Sequence, residues 1–102
     1  MKKIILPRKV KKRDGSVVPF DRSKIQNAIF RAALEVLQDR SRAAFVSGIV
    51  TEIVLDEITA RYAARQIDVE SVQDIVERGL MKAGYTEIAR SYILYRERRA
   101  EL

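Results

Sequence analysis

Residues 10–25 read VKKRDGSVVPFDRSKI. The three consecutive cations Lys11, Lys12 and Arg13 stand directly before Asp14-Gly15. Gly15 takes positive φ without strain, so the pair suits a tight turn, and VKKR and SVVPF become the arms of a hairpin. Pro19 fits an edge or strand end. Arms this short are marginal alone and must pack on something larger. Asp21 then occupies the place of a helix N-cap, where a carboxylate accepts from free N–H groups and favours the positive end of the helix dipole.

Working outward, Ile25, Ala28, Ile29, Ala32, Ala33, Val36 and Leu37 form an apolar stripe at helical spacing, which predicts a helix over 22–37. QDRSR interrupts it and supplies Asp39 and Ser41 as caps. A second long helix follows, with Val46, Ile49, Val50, Ile53 and Ile58 expected on its apolar side and its end between Ala60 and Gln66. Gly48 inside that helix costs about 1 kcal/mol against alanine. Asp68 is the next cap. The third helix carries Val69, Val72, Ile75, Val76, Leu80 and Ala83 and stops at Gly84, a good residue just past a helix end. Thr86 opens a fourth helix with Ala89, Tyr92 and Ile93 inward and the stem of Arg96 packed. The pattern predicts a mainly α chain of α+β type: a four-helix bundle capped by a short N-terminal β-hairpin. Residues 1–9, interrupted by Pro7, are expected as a basic tail, 10–99 as the domain and 100–102 as a C-terminal tail.

The chain has 102 residues, 47% of them hydrophobic, enough for one modest core. It contains no cysteine and no histidine. That removes disulfides, thiolate chemistry, cysteine or histidine zinc sites and imidazole bases. No apolar run approaches membrane-spanning length, and the N-terminus lacks the pattern of a secretory signal. A cytoplasmic protein without a membrane partner is expected. Of the net charge of +6, residues 1–13 carry seven Lys or Arg and no acid, so the remainder is at −1. The excess is local, which points to a local anionic partner.

Clustered cations beside a turn repel one another unless an anion offsets them. Alternate strand residues face opposite sides, so Lys12 cannot point with both neighbours. Lys12, with Arg13 turning at the strand end, is the expected pair on one target, and Lys24 adds a charge in the first turn of the following helix. A helix start presents free N–H groups to an anion, so these residues suit a phosphate. Val10, Val18, Phe20 and Ile25 supply an apolar wall the size of a nucleobase. The bland alternative is a solvated charge run on an ordinary hairpin. No GxGxxG or Walker spacing occurs. Asp56-Glu57 and Asp68 with Glu70 read as caps and exposed helix acids, and Tyr85, Tyr92 and Tyr95 as core and rim.

The stretch 10–25, with KRDG followed by PFDRSKI, resembles the N-terminal signature of the ATP-cone domain. VESVQDIVERGLMKAGYTEIARSYILYRERR, residues 69–99, resembles its second half as it occurs before ribonucleotide reductase catalytic domains. The resemblance covers most of 10–99, with the second helix matching only in pattern. It implies a hairpin layer over a four-helix bundle and a regulatory role without catalytic residues. In that role ATP permits reductase activity, while dATP promotes inactive assemblies. It further implies Lys12, Arg13, Lys24 and Arg98 on nucleotide phosphates. Val10, Val18, Phe20, Asp21, Ile25, Val69 and Gln73 would lie around base and sugar. Val69 stands where the family usually has Thr or Ser. The implied ligand is ATP or dATP, with Mg2+ allowed beside it. The implied partners are adenine nucleotides, a ribonucleotide reductase subunit or catalytic domain, and a second copy of the chain.

Without cysteine the chain is neither the reductase itself nor the zinc-ribbon repressor that shares the module. It is expected as a solitary or excised ATP-cone. Two rivals remain. One is a small nucleic-acid-binding module or transcriptional regulator with residues 2–13 as a basic arm, although the near-neutral body and the lack of a base-reading helix face weigh against it. The other is an assembly domain without ligand.

Overall fold

The computed structural model describes residues 4–63 and 65–100. Its elements are β1 (Lys9–Lys11), β2 (Val17–Pro19), α1 (Arg22–Leu37), α2 (Arg40–Tyr62), β3 (Gln66–Asp68), α3 (Val69–Lys82) and α4 (Thr86–Ala100). Of the two expected tails, residues 1–3 and 101–102 lie outside the described residues. So do Lys2 and Lys3 of the basic arm.

The hairpin forms as the Asp-Gly pair dictates. The Lys12 N–H donates to Ser16 O at 2.8 Å, the Gly15 N–H to Lys12 O at 3.0 Å, and Gly15 sits at φ +88°. The Asp14 carboxylate accepts from the Ser16 N–H and hydroxyl. This holds its carboxyl below the usual range. Lys9, Val10 and Lys11 pair antiparallel with Pro19, Val18 and Val17.

The hairpin is two strands of a three-stranded sheet. β3 runs parallel to β1, giving the order β2-β1-β3. Ile67, the centre of β3, is fully buried. The two outer strands each lead into a helix: β2 into α1 and β3 into α3. The sheet therefore sets both helix starts at one end of the bundle.

Each of the first three helices starts on an aspartate. Asp21 accepts from the Ser23 N–H at 3.0 Å, Asp39 from Arg42 at 3.0 Å and Asp68 from Ser71 at 2.7 Å, satisfying amides that have no partner within the helix. α1 ends on Gln38 in the left-handed region, at φ 52°. α3 ends in a Schellman turn, with the Tyr85 N–H on Leu80 O and the Gly84 N–H on Met81 O, and Gly84 at φ +86°. α4 begins at Thr86 itself, so its cap position falls one residue earlier than expected, on Tyr85, whose carbonyl accepts from the Ala89 N–H.

The helices pack in a ring, α1 against α2 and α4, and α3 against α2 and α4. Ile25, Ile29, Ala32 and Ala33 of α1 meet Val72, Ile75, Val76 and Leu80 of α3 and Ile88, Ala89 and Tyr92 of α4 in one core. On α2 the expected apolar side is corrected. Ile49 and Ile53 are 39% and 37% exposed, while Ser47, Thr51, Val54 and Leu55 are buried beside Val46, Val50 and Ile58. The buried ladder runs through two hydroxyl residues, which shifts the inward face away from those isoleucines. Ser47 satisfies its hydroxyl on Ala44 O at 3.0 Å. Gly79 lets α3 approach α2 closely, since a Cβ there would stand 3.2 Å from Val54 Cγ2. No helix of the described residues is long and apolar enough to cross a membrane.

Candidate functional site

The hairpin turn, α1, α3 and α4 enclose an open cavity of about 690 Å3, within the size range of small-molecule sites. Each helix contributes one face at the spacing i, i+3, i+4, i+7. From α1 come Lys24, Asn27, Ala28 and Arg31, with Ile25 beside them; from α3, Val69, Val72, Gln73 and Val76; from α4, Tyr92, Tyr95, Arg96 and Arg99. The turn adds Lys12, Arg13 and Asp14. Aliphatic side chains and Tyr92 make an apolar wall, and six cations stand around it.

Six of the residues expected at a site meet here: Lys12, Arg13, Lys24, Ile25, Val69 and Gln73. Val10, Val18, Phe20, Asp21 and Arg98 do not line the cavity. Val10 and Val18 face each other across the hairpin ladder, and Val10 and Phe20 pack against the core. The Asp21 carboxylate is turned to Ser23, which donates both its N–H and its hydroxyl and holds the carboxyl below its usual range. The start of α1 is thus capped by its own acid. Arg98 is exposed in the last turn of α4, off the face formed by Tyr95 and Arg99. Sequence reasoning missed the α4 face, Asn27 and Arg31. The available signal was the helical register, since Arg31 lies seven residues after Lys24, and Arg99 seven after Tyr92.

The cations fall into two groups. Arg13 and Arg96 are bound by acids: Arg13 by Glu70, and Arg96 by Glu70, Asp74 and Glu77. Arg13 also donates to Gln73 Oε1 at 2.8 Å. Burial works against the Arg96 charge, and the hydrogen bonds to its three acids outweigh it. Glu70 is held below the usual carboxylate range by the hydrogen bonds from Arg13 and then Arg96. Lys12, Lys24, Arg31 and Arg99 have no carboxylate within ion-pair distance among the described residues. Arg99 donates to the Tyr95 hydroxyl at 2.9 Å, and Arg31 to the same oxygen at 3.4 Å. The Arg99 bond leads in pushing the Tyr95 phenol down, whereas burial pushes the Tyr92 phenol up.

Unpaired cations around an apolar wall suit an anion that carries a flat, poorly hydrated group. Asp14 is the one acid in the lining, and its bonds to Ser16 leave it a weak base at neutral pH. No group of three potential ligating side chains that could hold a metal occurs among the described residues.

A family model for the ATP cone domain matches residues 8–101. The chain is 45% identical over 96 residues to a vitamin B12-dependent ribonucleoside-diphosphate reductase of Mycobacterium tuberculosis, an alignment covering 94% of this chain and 13% of that protein. It is 40% identical over 90 residues to an anaerobic ribonucleoside-triphosphate reductase of Salmonella typhimurium, covering 88% and 12%. It is 38% identical over 94 residues to a ribonucleoside-diphosphate reductase subunit alpha of Chlamydia pneumoniae, covering 87% and 9%. The chain thus spans about one eighth of the length of the first relatives it matches. With the family model spanning nearly the whole chain and these identities behind it, the chain belongs to the ATP cone domain family.

Proposed function

We propose that this chain is a nucleotide-sensing regulatory domain that binds ATP or dATP and controls the activity or assembly of a ribonucleotide reductase. The observation that carries the reading is the cavity itself: free cations from the hairpin turn and α1 beside an aliphatic wall from α1 and α3. Lys12, Lys24 and Arg13 hold the phosphates. Ile25, Ala28, Val69 and Val72 take the base by burying its apolar face, and Gln73 offers hydrogen bonds to base or sugar. Val10 and Phe20 act behind this layer by fixing the hairpin on the bundle, Val18 pairs with Val10 within the hairpin, Asp21 fixes the start of α1, and Arg98 lies off the cavity face. Residues 10–99 form the binding unit, and Mg2+ travels with the phosphates.

Regulation follows as a population shift. A nucleotide that touches the hairpin, α1 and α3 together favours the arrangement in which those elements fit it best, and a reductase body joined to the domain reads that arrangement. The relatives' names, all reductases, and the domain's share of their length support that partner. ATP and dATP differ by one hydroxyl, so any difference in assembly comes from contacts at the sugar.

Calorimetric titration with ATP, dATP and GTP tests the reading. Saturable binding of ATP and dATP, with GTP weaker, is expected. A folded protein that gives no heat with millimolar ATP or dATP overturns it, and salt-sensitive binding of random duplex DNA in its place favours the nucleic-acid alternative.

A further inference from the structure

Glu70 stands on the first turn of α3, and each of its carboxylate oxygens is held by a different arginine. Oε1 accepts from Arg13 Nε, and Oε2 accepts from Arg96 Nη2 at 2.5 Å. Arg13 comes from the hairpin turn and Arg96 from α4, so one carboxylate ties three elements together.

The two arginines depend on it unequally. Arg96 also donates to Asp74 Oδ1 and Glu77 Oε1, each at 2.8 Å. The other partner of Arg13 is the neutral amide of Gln73. Taking Glu70 away leaves Arg96 with two acids and Arg13 with none among the described residues. Conversely, Glu70 keeps Arg96 when Arg13 departs. If a ligand oxygen replaces Glu70 on Arg13, every charge in the exchange retains an opposite partner. The exchange therefore avoids the penalty of a stranded charge. The side chains of Arg13 and Glu70 are 35% and 50% exposed, so a ligand reaches the pair without the core opening.

We propose that Glu70 is a built-in anionic competitor for the nucleotide: in the free protein its carboxylate occupies the Arg13 guanidinium, and a phosphate takes its place on binding. This rests on the reading of the cavity as a nucleotide site. The planar guanidinium fork serves carboxylate and phosphate alike. Affinity at Arg13 is then the phosphate's hold less that of Glu70. The same exchange unties the hairpin from α4, since Arg13 and Arg96 no longer share an acid once a phosphate takes Arg13. Occupancy is thereby coupled to the freedom of α4 against the hairpin.

The test is ATP titration by calorimetry of the wild type, Glu70→Gln, Glu77→Gln, Arg13→Ala and the Arg13→Ala/Glu70→Gln pair. Glutamine retains size and an acceptor for Arg96. Glu70→Gln tightens ATP binding about two- to fivefold, the range for a partly exposed ion pair. Glu77→Gln, which removes the same charge from a residue whose ion-pair partner among the described residues is Arg96 alone, changes it less. On the Arg13→Ala background the gain from Glu70→Gln vanishes. Glu70→Gln binding as the wild type does, or gaining equally on both backgrounds, overturns the competitor and leaves the nucleotide site standing; a wild type that does not bind ATP overturns both. A wild-type readout covers loss of stability in the variants. The Arg13 Nε–H resonance moves on ATP saturation while that of Arg96 Nε–H stays. An unmoved Arg13 signal at saturation refutes the exchange.

Discussion

Arg96→Met removes the most heavily engaged cation of the fold and keeps a stem of similar length for packing. The Arg96 side chain is 15% exposed and bonds three acids on α3. Charge-assisted hydrogen bonds are worth about 1.5–3 kcal/mol each when desolvated, but the acids are not equally dry. Glu70 and Asp74 are 50% and 54% exposed and regain water when the arginine goes, so each counts for about 0–1 kcal/mol. Glu77, at 24%, regains less and carries most of the loss. The expected destabilisation is about 2–3 kcal/mol, read as a lower urea midpoint at pH 7 with an unchanged slope. The effect has a signature in acid. The native pKa of Glu70 lies below its ordinary value of 4.5. A lowered native pKa gives stability that is complete above the unfolded value and lost as pH falls through the native one. The gap between wild type and variant therefore narrows as pH drops below 4.5. A variant as stable as the wild type at pH 7, or a gap that stays constant into acid, refutes this account of the α3–α4 contact.

Other outcomes follow from single residues. Lys12→Ala and Lys24→Ala each weaken ATP binding by about 1.5–3 kcal/mol, roughly ten- to 150-fold, in calorimetry; unchanged affinity in both removes the phosphate assignment. Ile29→Ala, at a fully buried position of α1, lowers stability by about 2–5 kcal/mol in a denaturant melt. Gly84→Ala forces a side chain into φ +86° and costs about 1 kcal/mol or more; no shift in melting temperature would mean that the α3–α4 turn does not need that conformation.

The parts of the fold legible in the sequence are those written in local chemistry. Asp14-Gly15, the three capping aspartates, the stripe of α1 and Gly84 each act within a few residues of themselves, and each appears where its chemistry predicts, except that Val36 at the end of the stripe is exposed. β3 was hidden because a three-residue strand has no room to show alternation, and its partner β1 lies far back in the chain. The inward face of α2 was misread because it runs through Ser47 and Thr51, polar by composition and buried by register.

At the site, Lys12, Arg13 and Lys24 declared themselves as charges beside a turn. The α4 side did not. RSYILYRERR reads as a helix with Tyr92 and Ile93 inward and the Arg96 stem packed, and only the bundle turns the face of Tyr92, Tyr95, Arg96 and Arg99 toward the hairpin. Arg98 is the counterexample: the same charge one residue earlier lies off the face. Glu70 likewise reads as a first-turn helix acid, and its role depends on two arginines that reach it from elements distant in sequence.

The most direct test of the central claim is residue-level mapping of ATP on the folded chain by amide and side-chain NMR. The account predicts saturable shifts at Lys12, Arg13, Lys24, Ile25, Val69 and Gln73, with the exposed Phe45 and Ile49 face of α2 unmoved. Shifts confined to that α2 face, or none at saturating ATP, would contradict it.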